Sequence, residues 1–201
     1  MIVIVDYGMG NLRSVQKGFE RVGAQALVSR KIKDIDSADK LVLPGVGAFP
    51  ECMKNLVTFG LVDSILDFLK SGKPFLGICL GLQLLFEESE EFGLHEGLKV
   101  IPGRVKAFSR EMGLKIPHMG WNQVTFKKDV PIFRGIDNGS FFYFVHSYFV
   151  EPALTTDIAT ETDYGVTFTS SIARDNIFAL QLHPEKSQEN GLKILENFSR
   201  I

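Results

Sequence analysis

Cysteine is scarce in this sequence, since its 201 residues include only Cys52 and Cys79. The two lie far apart and do not form a Cys-x-x-Cys pair, so the sequence indicates neither a disulfide framework nor a zinc cluster. Few and unpaired cysteines are typical of proteins in the reducing cytosol. We therefore expect a cytoplasmic location, no disulfide and no bound metal.

The sequence also lacks a long apolar run and an excess of charge of one sign. The apolar start Ile2–Val5 ends at Asp6, too short for the core of a signal peptide, and no stretch approaches the ~20 apolar residues of a membrane span. A formal net charge of −2 and a pI near 6.1 give no general attraction for nucleic acid or an anionic membrane. The expected partners are small molecules or proteins.

Apolar segments with strand-like and helix-like spacing alternate along the first half of the chain, which predicts an α/β fold. The length suits one compact domain over residues 1–201. Residues 98–150 hold short β-prone runs separated by glycine, proline and charge, which predict antiparallel strands. Strands are predicted at 2–5, 26–29, 40–43, 75–78 and 177–182, and helices from Leu12 to Val22, at 49–59, at 61–69 and at 189–198.

A glycine-rich turn follows the first predicted strand. Gly8-x-Gly10 begins the pattern of a dinucleotide-binding loop, but the third glycine of that pattern would fall at Arg13. We therefore predict no cofactor.

The pattern Gly77-Ile-Cys-Leu-Gly81 lies where an apolar strand is followed by Leu82, Leu85 and Phe86 at helical spacing. Gly-x-Cys-x-Gly is the spacing of a nucleophile elbow, in which a strained corner exposes the nucleophile and its neighbours lack Cβ atoms. A helix beginning after Cys79 favours a thiolate and leaves the N–H of Leu80 as an oxyanion donor. The alternative is an ordinary buried cysteine, which is the interpretation we give to Cys52.

A candidate base follows a later predicted strand, in His183-Pro-Glu185. Residues two apart in an extended segment point to the same side, so Glu185 can orient the His183 imidazole while its other nitrogen exchanges a proton with Cys79. Pro44-Gly-Val-Gly47 also ends a strand, and its glycines allow N–H groups to turn toward an oxyanion, although a plain turn is the alternative. The acidic run Glu87–Glu91 is interpreted as a solvated helix end and loop.

Pro44-Gly-Val-Gly47, Gly77-Ile-Cys-Leu-Gly81 and His183-Pro-Glu185 follow one another along the chain. In this order and spacing they resemble the class I (triad) glutamine amidotransferases, and the resemblance covers most of the chain. The resemblance implies a flavodoxin-like, doubly wound α/β fold whose mostly parallel central sheet carries additional antiparallel strands. It also implies that glutamine is hydrolysed through a γ-glutamyl thioester on Cys79. His183 and Glu185 complete the implied triad, and the oxyanion donors come from Leu80 and the loop Gly45, Val46 and Gly47.

Two further stretches, Pro117-His-Met-Gly-Trp-Asn122 and His183-Pro-Glu-Lys-Ser187, narrow the resemblance to the glutaminase subunits of imidazole glycerol phosphate synthases in histidine biosynthesis. It then implies a heterodimer with a cyclase subunit, a (β/α)₈ barrel. That subunit would use the ammonia on a phosphoribosyl-formimino carboxamide ribotide, giving imidazole glycerol phosphate and an aminoimidazole carboxamide ribotide. The implied glutamine pocket is Gln83, His146, Ser147 and Tyr148, and the side facing the partner holds Trp121, Tyr143 and Lys186.

Three alternatives stay open on the sequence alone. An amidotransferase of another pathway shares the triad but not the Pro-His-Met-Gly-Trp-Asn stretch. A freestanding γ-glutamyl hydrolase uses the same elbow and histidine without a partner. A flavodoxin-like binding module without enzymatic activity has only the Gly8-x-Gly10 loop in its support.

Overall fold

A computed structural model describes residues 1–201 and contains a large twelve-stranded mixed sheet and a separate two-stranded sheet. The first part of the chain alternates strands and helices as predicted. It comprises β1 (Ile2–Val5), α1 (Leu12–Arg21), β2 (Ala26–Ser29), α2 (Ile32–Asp36), β3 (Lys40–Gly45), α3 (Phe49–Thr58), α4 (Val62–Lys70), β4 (Phe75–Cys79) and α5 (Leu80–Gln83).

The second part of the chain is mainly strands, with short 3₁₀ helices at Arg110–Met112, Pro131–Phe133, Thr155–Asp157 and Pro184–Lys186. Its strands and one helix are β5 (Phe86–Ser89), β6 (His95–Glu96), β7 (Ile101–Ala107), β8 (His118–Gln123), β9 (Thr125–Phe126), β10 (Phe141–His146), β11 (Tyr148–Pro152), β12 (Ile158–Asp163), β13 (Thr167–Arg174), β14 (Ile177–Leu180) and α6 (Gln188–Arg200).

The parallel half of the large sheet has the strand order β2-β1-β3-β4-β14. Helices cover both of its faces, because α2, α3 and α4 pack into one hydrophobic core and α1 and α6 into the other. β1, β3 and β4 are almost entirely buried, as expected for strands covered on two sides. This order confirms the predicted doubly wound fold and brings the carboxyl ends of β3, β4 and β14 together at one edge.

Five further strands extend the sheet beyond β14, in the order β13-β11-β7-β5-β6. β12 and β9 lie off this path, since β12 pairs with β13 and β9 pairs with β12. β13, β11 and β7 are joined by antiparallel pairs, which confirms the antiparallel strands predicted for this part of the chain. β8 and β10 form the separate antiparallel ribbon, with Tyr143 opposite Trp121 and His146 opposite His118. The ribbon lies beside the edge where β3, β4 and β14 end, since His183 N–H donates to the carbonyl oxygen of Tyr143 at 2.9 Å.

The predicted long helix after the elbow is wrong. α5 ends at Gln83, and Phe86–Ser89 forms the strand β5, which pairs in parallel with β7. The carbonyl oxygens of Leu84 and Phe86 accept hydrogen bonds from Leu98 and Lys99, so the chain that returns at 97–101 takes the acceptors that a helix would use internally. Leu82, Leu85 and Phe86, whose spacing predicts a helix, are instead buried in the core beside the sheet.

No helix of the structure is both long and apolar enough to cross a bilayer.

Candidate active site

Cys79 occupies the sharp corner between β4 and α5, with φ 54° and ψ −110°. A positive φ is uncommon for a residue with a side chain and costs about 1–3 kcal/mol, so the fold must hold this corner in place. The strained elbow predicted from the sequence is therefore confirmed. Because α5 is a single turn, the contribution of a helix dipole at Cys79 is smaller than the predicted longer helix would give.

Close backbone packing explains the glycines on either side of the corner. A Cβ atom at Gly81 would lie 1.8 Å from the carbonyl oxygen of Leu43, and one at Gly77 would lie 2.7 Å from the carbonyl oxygen of Gly81. Neither obstacle can move without shifting β3 or the corner itself. Glycine at both positions lets the corner after β4 pack against the backbone of β3 and hold Cys79 at the end of the sheet.

His183 and Glu185 form a buried pair directly after β14, the strand beside β4. His183 Nδ1 lies 2.8 Å from Glu185 Oε1, and the two side chains are 2% and 1% exposed. The predicted contact is confirmed, but the predicted extended geometry is wrong, because Pro184–Lys186 is a 3₁₀ turn that brings Glu185 back beneath the imidazole. His183 Nε2 is buried and has no hydrogen-bond partner in the chain.

The charge environment of His183 favours its protonated form. Burial lowers the pKa of His183, but the neighbouring Cys79 thiolate and then the Glu185 carboxylate outweigh burial and raise this pKa to about 10. The fold therefore supports an imidazolium at His183, beside the Cys79 sulfur. The chain offers no group of His, Cys, Asp or Glu side chains arranged to hold a metal ion.

A cavity of about 280 Å³ opens beside these groups. Its size suits an amino acid, being below the range of cavities that bind drug-sized ligands. It is lined by Val46, Gly47, Cys79, Leu80, Gln83, Glu91, Pro117, Val145, His146, Ser147, Tyr148 and His183.

Comparison with known proteins agrees with this arrangement. The family model for glutamine amidotransferase class-I matches residues 3–201. The chain belongs to the class-I glutamine amidotransferase family. Solved structures support the same fold: a glutamine amidotransferase aligns with a TM-score of 0.76 at 16% identity over 100% of both chains. PurLQS from Thermotoga maritima aligns with a TM-score of 0.74 at 18% identity over 98% of this chain and 96% of its own.

Curated relatives are much more similar in sequence. Imidazole glycerol phosphate synthase subunit HisH from Syntrophotalea carbinolica is 59% identical over 98% of both chains. The subunit of the same name from Geobacter sulfurreducens is 54% identical over 100% of this chain and 98% of its own. The one from Aquifex aeolicus is 55% identical over 98% of this chain and 95% of its own.

Most of the residues predicted for the glutamine pocket and the oxyanion site line the cavity of this amidotransferase. Gly45 does not: it ends β3, pairs in register with Cys79 and packs closely against the Tyr7 hydroxyl. Gln83 is buried and uses its amide nitrogen within the chain, donating to Tyr148 O at 3.1 Å and to Gln181 Oε1 at 3.0 Å. The sequence interpretation missed Gln181, whose Nε2 lies 3.6 Å from Cys79 Sγ, because no pattern in the sequence marks it.

His146 is fully engaged inside the amidotransferase. Its Nδ1 lies 2.8 Å from Tyr148 O and its Nε2 lies 2.9 Å from His118 Nδ1, while Asn122 Nδ2 lies 3.2 Å from His118 Nε2. These distances assign both rings as neutral and protonated on Nδ1. Burial lowers the pKa of His146 to about 3 and that of His118 to about 4. His146 therefore shapes the cavity wall, and neither of its nitrogens is free to bind a ligand.

Glu91 is a cavity residue that the sequence interpretation missed, because the acidic run was expected to be solvated. Glu91 is only 9% exposed, and its Oε2 accepts a hydrogen bond from Phe49 N–H at 2.7 Å. Burial raises the pKa of Glu91, partly offset by that N–H. Glu91 thus puts a carboxylate into the wall of the cavity of this amidotransferase. The sequence marks Glu91 only as a member of the acidic run. Its burial could not be predicted, because it depends on a contact with Phe49 at the distant start of α3.

The three residues predicted to face a partner form one surface cluster. Trp121 and Tyr143 lie on the ribbon of β8 and β10, and Lys186 ends the 3₁₀ turn Pro184–Lys186. The rings of Trp121 and Tyr143 meet edge to face with centroids 6.2 Å apart, and Lys186 Nζ lies 5.5 Å from the centroid of the Tyr143 ring. Trp121 is 46% exposed, and Met119 and Phe141 beside it are more than half exposed. The cluster is close to His183, because the carbonyl oxygen of Tyr143 on β10 accepts the hydrogen bond from His183 N–H.

Proposed function

We propose that this chain is the glutaminase subunit of an imidazole glycerol phosphate synthase, which hydrolyses L-glutamine and passes the ammonia to a cyclase subunit. The observation that carries the proposal is that Cys79, in a strained corner, shares an amino-acid-sized cavity with His183, whose buried Nε2 has no partner. The names of relatives at 53–59% identity support the choice of enzyme.

In the proposed acylation, the Cys79 thiolate attacks the carboxamide carbon of glutamine and the carbonyl oxygen becomes an oxyanion. The main-chain N–H groups of Leu80 and Val46 donate to that oxygen, since both residues line the cavity beside the sulfur. His183 gives the proton on Nε2 to the departing nitrogen as the C–N bond breaks. Ammonia leaves, and a γ-glutamyl thioester remains on Cys79.

The same histidine serves the second half of the reaction. Once the thioester forms, Cys79 no longer carries the charge that contributes most to raising the pKa of His183, while burial continues to lower it. His183 is then a neutral base and takes a proton from water, whose oxygen attacks the thioester carbon. The C–S bond breaks, glutamate leaves, and the thiolate and imidazolium are restored. Glu185 keeps Nδ1–H oriented throughout.

Glutamine recognition is assigned to the far wall of the cavity. The Glu91 carboxylate faces the α-ammonium group, and Ser147 and Tyr148 offer polar groups to the α-carboxylate. Gln83 and His146 shape the wall, because their side-chain nitrogens are already bonded within the chain.

The cluster of Trp121, Tyr143 and Lys186 is proposed to contact the cyclase subunit, a (β/α)₈ barrel, in a cytoplasmic heterodimer. Aromatic side chains are enriched at the centres of protein interfaces, and Lys186 adds a positive charge at the rim. Ammonia released into neutral water becomes ammonium, which has no lone pair for attack. A partner seated beside His183 would receive ammonia along a sheltered route.

A control of glutamine hydrolysis is proposed for the loop Pro44–Gly47. In the idle state a carbonyl oxygen of this loop faces the oxyanion position, and in the loaded complex the Val46 N–H turns inward. Gly47, with φ 105°, supplies a flexible point next to the turning peptide. One oxyanion donor contributes about 10²–10³ in rate, so the turn of one peptide is an effective gate.

The test is Cys79→Ala in the complex with the cyclase subunit. Glutamine-driven synthesis should be abolished, whereas synthesis driven by added ammonium salt should match the wild type, because the nucleophile serves only the release of ammonia. Both are measured by formation of imidazole glycerol phosphate. Loss of both activities would contradict the division of labour, and rapid glutamine hydrolysis by the isolated wild-type chain would favour a freestanding hydrolase.

A further inference from the structure

Two buried side chains lie beneath the loop Pro44–Gly47 and have no part in the reaction described above. Tyr7, two residues after the end of β1, and Cys52, in α3, are both 0% exposed. The Tyr7 hydroxyl donates to the carbonyl oxygen of Pro44 at 2.8 Å, and Cys52 Sγ lies 3.9 Å from the carbonyl oxygen of Val46 and 3.7 Å from the Tyr7 oxygen. The phenol and the thiol thus meet two carbonyl groups of the loop.

These two carbonyl groups flank a single peptide unit. Between them lies the unit formed by the Gly45 carbonyl and the Val46 N–H, and Val46 N–H donates no hydrogen bond within the chain. A planar peptide turns as one body about its two Cα atoms. When the carbonyls on both sides are held, turning is confined to the unit between them.

The hydroxyl of Tyr7 has a prepared place under the loop. A Cβ atom at Gly45 would lie 2.6 Å from the Tyr7 oxygen, so the absence of a side chain at Gly45 makes room for the hydroxyl. Burial raises the pKa of Tyr7 well above its usual range and raises the pKa of Cys52 to about 12. Both groups keep their protons, and therefore remain hydrogen-bond donors, over the whole working range of pH.

We propose that Tyr7, assisted by Cys52, is a positioning residue of the oxyanion loop: it fixes the Pro44 carbonyl so that only the peptide between Gly45 and Val46 turns. The proposal rests on the proposed glutaminase function and deepens it. Tyr7 touches neither glutamine nor the sulfur that attacks it. It acts by setting where the Val46 N–H lies when the oxyanion forms, so its loss affects the transition state more than the binding of glutamine.

The experiment compares Tyr7→Phe with the wild type in the complex with the cyclase subunit and its nucleotide ligand. We expect kcat for glutamine hydrolysis to fall about tenfold, because small displacements of a catalytic donor reduce rates strongly, and KM for glutamine to stay within about twofold. Tyr164→Phe is the matched control, since it also removes a hydroxyl bonded to a main-chain carbonyl, Lys115 O at 2.7 Å, and should leave kcat unchanged. A kcat for Tyr7→Phe equal to that of the control would overturn the proposal.

Alkylation of Cys79 by iodoacetamide separates loop positioning from thiol activation. In that reaction the sulfur displaces iodide from carbon and no oxyanion forms, so the rate of alkylation, followed by intact mass, should be the same in Tyr7→Phe and the wild type. A parallel fall in alkylation and kcat would mean that Tyr7 acts on the thiol or on folding, and would overturn the proposal. Cys52→Ala should lower kcat about two- to threefold with the same unchanged alkylation, since S–H is a weak donor.

Failure of the proposed function is recognised separately. It would appear as a wild-type complex that does not hydrolyse glutamine, or as a Cys79→Ala complex that still does. Neither result depends on Tyr7.

Discussion

Replacement of Glu185 by Gln should weaken catalysis without abolishing it and should shift its dependence on pH. The substitution keeps the size of the side chain and removes the charge that lies 2.8 Å from His183 Nδ1. The structure raises the pKa of His183 from 6.5 to about 10, with the Cys79 thiolate contributing more than Glu185. A hydrogen bond to a charged group contributes about 1.5–3 kcal/mol, which corresponds to about 10- to 150-fold in rate.

The sign of the pH effect follows from the raised pKa. In the proposed reaction, His183 protonates the leaving nitrogen as an imidazolium, which is present below about pH 10 in the wild type and is lost above it. Without the Glu185 charge, the pKa of His183 falls, and the alkaline limb of kcat/KM should move down by about one to two pH units. Glutamate formation by the complex with ligand, measured across that range for the wild type, Glu185→Gln and His183→Ala, provides the comparison.

Loss of His183 or Cys79 should cost about 10⁶ in kcat, as it does when a triad nucleophile or base is removed. Glu185→Gln should lie well above those variants. An equally severe loss would mean that Glu185 does more than orient and stabilise the imidazole. An alkaline limb that does not move would refute the assignment of that limb to His183.

Two further predictions concern the partner. Lys186→Ala should weaken the affinity for the cyclase subunit about three- to tenfold, the range of a cation–π or rim contact, whereas Lys70→Ala at a remote exposed position should not; equal affinities measured by titration calorimetry would make Lys186 an ordinary solvated charge. Glutamine turnover should be weak for the isolated chain and about 100-fold or more faster for the complex with nucleotide ligand, because one oxyanion donor is gained. Equal rates for the isolated chain, the complex and the loaded complex would exclude gating by the loop.

The sequence predicts the catalytic corner well because the constraints there are local. Gly77 and Gly81 stand two residues from Cys79, and the need for glycine arises from backbone atoms that the turn itself brings close. The contact of His183 with Glu185 is likewise short in sequence, although the chain makes it through a 3₁₀ turn. A pattern that spans only a few residues predicts its contacts well, because the local backbone alone brings those residues together.

What the sequence does not predict depends on partners far along the chain. Phe86–Ser89 becomes a strand because β7 pairs with it, which apolar spacing alone cannot indicate. Glu91 is buried because Phe49 N–H, 42 positions away, needs an acceptor. Gln83 faces inward because Gln181, 98 positions away, accepts its amide hydrogen. Each of these side chains took its place from a tertiary contact.

The position of β14 between β4 and β13 also has a consequence for folding during synthesis on the ribosome. Cys79 and Gln181 meet in the folded protein but are 102 positions apart. At about 5–20 residues per second, Cys79 is synthesised roughly 5–20 s before Gln181 and the neighbouring His183. During that interval β4 has only β3 beside it, so its other side is an open, apolar edge. A nascent chain without β14 and the segment after it thus lacks His183 and leaves one edge of β4 without a neighbour, and insertion of β14 supplies both.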